Sequence, residues 1–161
     1  MYLLSPAAWP SEAVPELLGE DGRYDPAIYL RLLVHETVHM VEEDISPRDA
    51  MDARPEWFSE GLAVYLSEQF CTERDMIGGM LADLEKGSLP ALSGMCGPAA
   101  YLWGWTVIRF LERRFGWKRI VTVLRGGNTA DILNCFGDAL EPAWRHETAS
   151  EAMRIEIVAF S

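Results

Sequence analysis

The sequence predicts a mainly helical α+β fold, carried in one domain across residues 1–161. Three observations lead there. Helix-start signals recur at Asp25-Pro26, Pro55 and Gly97-Pro98, and glycine stops follow at Gly87 and Gly116. Apolar residues between these marks are spaced for one face of a helix rather than alternating as in a strand. Only "YLLSPAAW" near the N-terminus reads as a strand, and Pro6 keeps it short or at an edge. A chain of 161 residues with six Trp, six Phe and five Tyr has the length and the bulky side chains for a buried core.

The first helix opens with Asp25 as N-cap and Pro26 at its first position, and carries Ile28, Leu32, Val34, Val38 and Val41 through to Glu43. A loop with Pro47 and Asp49 separates it from the second, which starts at Pro55 and runs through "EWFSEGLAVYLSEQF". A third covers about Glu73 to Lys86 and stops at Gly87. The fourth, "AAYLWGWTVIRFLERRF", lies between Gly97-Pro98 and Gly116. Trp117 to Leu124 forms a fifth, ahead of the Gly126-Gly127-Asn128 turn. Thr129 then caps a sixth, and the last follows Pro142. Neither an internal repeat nor a low-complexity linker divides the chain.

Composition removes several function classes. The formal charge of −11 argues against nucleic acid, whose phosphates need basic patches. No apolar run approaches the ~20 residues of a membrane span. The start "MYLLSPAAW" has neither a basic n-region nor an apolar h-region, so it is not read as a signal peptide, and a cytoplasmic location is expected. Cys71, Cys96 and Cys135 form no C-x-x-C pair and are read as small buried hydrophobes in a reducing compartment.

One stretch stands apart. "LRLLVHETVHMVEED" sets His35 and His39 four residues apart, with Glu36 directly after the first. Residues at that spacing lie on one helix face, so both imidazoles can bind the same ion, and zinc suits nitrogen ligands in tetrahedral geometry. Glu36, about 100° round the helix, is poorly placed to share the ion but can reach a water beside it. This is the H-E-x-x-H pattern, two metal ligands and a general base from one turn. The rival is a metal-independent helical domain in which the two histidines simply pack.

A catalytic zinc takes three protein ligands and keeps a fourth position open. The candidates for the third ligand are His146 and a carboxylate. His146 sits in the polar "PAWRHETASE" and reads as solvated. Glu60, among Trp57, Phe58, Leu62, Ala63 and Leu66, is better placed, because a carboxylate in such company must be paired or metal-bound. Gly61, inside the same helix, marks a close approach by another backbone.

"HETVH" followed by "WFSEGLA" resembles the gluzincins, zinc peptidases whose third ligand is a glutamate on a following helix. The W-x-x-E-G-x-A form is similar to their aminopeptidase-type branch and its smaller, peptidase MA-like relatives. "YLWGWTVIRFLERRFG" resembles their Y-x-x-G helix and "FGDALEPAWR" their closing segment, so the likeness spans about residues 28 to 145. The chain also departs from the pattern. Twenty residues separate His39 from Glu60, more than in the large aminopeptidases, and Trp103 stands where their Y-x-K-G has lysine. No G-A-M-E-N-like segment precedes the first histidine, which turns the expectation from exopeptidase to endopeptidase-like action.

The resemblance implies a zincin-like metallopeptidase domain, α+β and mainly α, with a short N-terminal strand region. It implies one zinc per chain held by His35, His39 and Glu60, with Glu36 as general base and Tyr101 as the donor to the oxyanion. The implied function is hydrolysis of peptide bonds in a peptide or protein substrate by zinc-activated water. The segment near Tyr2 to Leu4 would hold extended substrate by edge pairing. Gly104, one turn after Tyr101, would let that helix approach the metal helix, while Trp103 and Trp105 read as core. The alternative is a degenerate or structural-zinc domain of the same shape that binds peptides or proteins without cutting them.

Overall fold

The computed structural model describes residues 25–48, 54–69, 80, 82–84, 86–126, 136–137 and 139–159, with side chains described up to residue 150. Five α-helices organise them: α1 (Pro26–Ile45), α2 (Glu56–Ser67), α3 (Pro98–Phe115), α4 (Trp117–Gly126) and α5 (Leu140–Ala159). One turn of 3₁₀ helix, Leu92–Gly94, lies before α3. The fold is mainly α, and there is no strand among the described residues. The strand expected within "YLLSPAAW", the start of the third sequence-predicted helix and the helix expected after Thr129 fall outside them.

Helix ends follow from local chemistry. The Asp25 carboxylate accepts from the Ala27 amide at 2.7 Å and caps α1, with Pro26 at its first position. α1 runs two residues past Glu43, to Ile45. α2 stops at Ser67, short of the sequence expectation, because Glu68 adopts a left-handed conformation (φ 55°). That conformation costs a non-glycine residue roughly 1–2 kcal/mol, and no glycine in the sequence announces it. Gly87 (φ 66°) ends the expected third helix: its amide bonds to the Leu84 carbonyl at 3.0 Å and the Ser88 amide to that of Asp83 at 2.8 Å. α5 begins at Leu140, not after Pro142; the proline lies in the first turn, where its missing N–H has no helical partner to lose.

α2 and α3 form the centre of the molecule. Trp57, Phe58 and Leu62 of α2 pack with Ala100, Trp103, Val107 and Leu111 of α3, and α4 and α5 add Ile120, Val123 and Trp144. The two helices touch backbone to backbone where Gly61 meets Gly104. A Cβ on Gly104 would stand 2.5 Å from the Trp57 carbonyl oxygen, and one on Gly61 would overlap the Gly104 backbone. The close approach read from Gly61 is therefore real. The helix that Gly104 admits is α2, however, not the helix of the two histidines.

Trp144, fully buried, has its indole N–H satisfied inside the core. Trp144 donates its indole N–H to Thr106 Oγ1 at 2.9 Å, and Thr106 donates to the Trp103 carbonyl at 2.7 Å. Trp103 is core, as expected. Trp105 is half-buried, packs against the core and lies under the Arg109 guanidinium. Cys96, read from sequence as buried, is exposed, because it sits in the loop between the 3₁₀ turn and α3; Cys71 and Cys135 lie outside the described residues.

Candidate metal centre

α1 buries none of its apolar side chains fully; Val38 and Ile45 are only partly buried against the core. Its fully buried residues are His35 (3% exposed) and Glu42 (2%), while Leu30, Val34, Met40 and Val41 are exposed among the described residues. A helix that only contributed to a hydrophobic core would show the reverse. Burial of an imidazole and a carboxylate demands partners: Glu60 of α2 faces His35, while His39 and Arg54 face Glu42.

Glu60, in the second turn of α2, reaches both histidines. Its Oε2 lies 3.3 Å from His35 Nε2 and 3.4 Å from His39 Nε2, and the two Nε2 atoms are 3.1 Å apart. The four-residue spacing on α1 sets the last distance; packing of α1 on α2 sets the other two. Two nitrogens at that separation can share at most one proton, so lone pairs converge on the point they face. Glu60 Oε2 is buried and receives no aligned hydrogen bond among the described residues.

The arrangement fits a metal ion. Donors on a tetrahedral zinc with bonds of about 2.0–2.1 Å stand about 3.3 Å apart, and all three separations lie close to that value. Two imidazole nitrogens and one carboxylate oxygen also match zinc's ligand preference. His35, His39 and Glu60 form the one such group among the described residues. His146, the other sequence candidate for third ligand, is exposed on α5, away from this cluster.

Electrostatics point the same way. Without a metal, His39 is raised to about 10, first by its hydrogen bond to Glu42, then by Glu60, against burial. Glu60 is lowered to about 2: burial, the largest single influence, pushes it up, but His35, His39 and the Tyr101 hydroxyl together outweigh it. Without a metal, the cationic His39 ring and the ionised Glu60 carboxylate offset each other where the three donors meet.

Tyr101 borders this point. The Tyr101 ring stacks on His35 with centroids 5.8 Å apart and planes 5° from parallel. Its hydroxyl interacts with the Glu60 carboxylate, and it is raised to about 12 by burial, by the Glu60 charge and hydrogen bond, and by the charges of Glu36 and Glu56. The phenol therefore remains a donor throughout the neutral range. Glu36 is half-buried and near enough for its charge to act on Tyr101.

Two residues escaped the sequence reading. Glu42 places Oε2 3.2 Å from His39 Nδ1, and Arg54 places Nη1 3.3 Å from Glu42 Oε1. The first was legible in principle, since residues three apart share a helix face. The second was not, because twelve residues and a loop separate Arg54 from its partner. No family model, curated relative or solved structure matches the chain.

Proposed function

We propose that the protein is a zinc-dependent peptidase with a gluzincin-like ligand set, cutting peptide bonds within a peptide or protein substrate. The observation that carries this reading is the convergence of His35 Nε2, His39 Nε2 and Glu60 Oε2 at separations of 3.1–3.4 Å beside the Tyr101 phenol. Bound there, zinc would act as a Lewis acid and bring the pKa of a water molecule toward ~7.

The chain's own residues have separate tasks. His35, His39 and Glu60 would hold the ion through their converging Nε2 and Oε2 atoms. Glu36 projects from the same turn of α1 but is left out of the ligand set, so its carboxylate is available to take a proton from the attacking water and return it to the leaving amine. Tyr101 is held against His35 by stacking, and its hydroxyl, still protonated at neutral pH, can donate to the oxygen that gains charge.

Glu36→Gln separates this function from metal binding alone. The amide keeps the shape but cannot accept the proton. The variant should bind zinc like the parent and cut a peptide library ~10²–10⁴ times more slowly, read by mass spectrometry with and without chelator. Equal cleavage by the variant and the parent would sink the assignment of Glu36. A parent that binds zinc and cuts nothing would favour the binding-module alternative.

A further inference from the structure

Glu42 and Arg54 are both charged and both almost fully enclosed, with side chains 3% and 2% exposed. Enclosing two charges is costly, and hydrophobic replacements of similar volume often serve stability as well or better. The pair therefore invites a reason beyond stability, and its contacts supply one. Glu42 divides its two oxygens: Oε1 faces the Arg54 guanidinium at 3.3 Å and Oε2 faces His39 Nδ1 at 3.2 Å. An ionised carboxylate only accepts, so the ring nitrogen facing it donates. With Nδ1 occupied in this way, the ring is fixed with Nε2 turned toward His35 and Glu60.

Arg54 extends the restraint through the fold. Its Nη2 donates to Ser46 Oγ at 2.8 Å and to the Leu124 carbonyl at 3.2 Å, and Ser46 Oγ donates to the same carbonyl at 2.9 Å. Ser46 is the C-cap of α1, and Leu124 lies in the last turn of α4. Arg54 itself stands two residues before α2, the helix that carries Glu60. One guanidinium thus ties the end of α1, the end of α4 and the entry of α2 together around the carboxylate that orients His39.

We propose that Glu42 and Arg54 are positioning residues for the metal centre: a buried carboxylate–guanidinium pair that orients His39 and sets the distance between α1 and the Glu60 helix. This rests on the zinc reading above and deepens it. The support is one-sided, since His35 Nδ1 is buried with no partner among the described residues. His39 is the ligand whose orientation is secured from behind.

The test uses three measurements on the whole chain. Zinc affinity of the parent, by competition with a coloured chelator, comes first; no binding there would remove the metal reading itself. Nitrogen-15 NMR of the zinc-loaded parent should then show His39 with its proton on Nδ1, hydrogen-bonded and slow to exchange. A His39 ring protonated on Nε2, or an Nδ1 proton exchanging as in free imidazole, would overturn the positioning role even if no variant folds. The third measurement is Glu42→Leu combined with Arg54→Met, which removes both charges and strands neither. The double variant should keep the helical circular dichroism of the parent and bind zinc ~10–100-fold more weakly. A folded double variant binding as tightly as a zinc-binding parent would reduce the pair to packing.

Discussion

Tyr101 is the residue whose part in the site can be isolated most cleanly. Its ring stacks on His35 and only its hydroxyl faces Glu60, so Tyr101→Phe keeps the stack and removes a single donor. The variant should fold, hold zinc as the parent does, and lose ~10²–10³ in kcat with little change in KM. Unchanged kcat would leave Tyr101 as a wall of the site. The same residue shows the limit of reading chemistry from a string. The phenol's suitability as a donor was legible from its ordinary pKa, but its place against His35 depends on how α3 crosses α2.

That crossing is an element-scale matter, decided by two glycines. Gly61→Ala illustrates opposing effects of known size. Alanine in a helix interior gains about 0.8–1 kcal/mol over glycine. Its Cβ would overlap the Gly104 backbone, which cannot rotate away as a side chain could. Overpacking of this kind typically costs about 1–3 kcal/mol, and more where backbone meets backbone. The clash wins. Gly61→Ala should lower Tm by several degrees and, by pushing α3 from α2, reduce activity as well; thermal melts and peptide cleavage on one preparation check both. A melting point equal to or above the parent's would mean that the helices separate freely and that the close contact is unimportant.

At the scale of the whole molecule, metal binding and protonation compete for the same centre. His39 is raised in the metal-free protein from 6.5 to about 10, so its contribution to stability is fully present below pH 6.5 and lost as pH rises through about 10. Zinc acts in the opposite direction, because a ligating imidazole must give up that proton. The stabilisation by zinc should therefore grow with pH. At a free zinc concentration of ~100 times Kd the ion contributes about 2.7 kcal/mol, or about 5–10 °C in Tm for a chain of this length. Paired melts with zinc and with chelator at pH 6 and pH 8 should show the larger difference at pH 8. A zinc-induced shift independent of pH would remove His39 from the ligand set.

Sequence periodicity and end signals were enough to announce α1, α3 and the Gly87 stop, because those features are local: a cap, a proline, a glycine and a repeat of about 3.6 residues. The spacing of His35 and His39 was legible for the same reason, and Glu60 stood out as a carboxylate among apolar neighbours. Tertiary structure decided everything that depends on two elements meeting. It brought Glu60 to within 3.4 Å of both imidazoles, seated Gly104 on α2 rather than on α1, and laid Tyr101 against His35. It also enclosed Glu42 with Arg54, which no periodicity connects. A helix repeat fixes which side chains share a face, but the packing angle and distance between helices come from the fit of side chains across the interface.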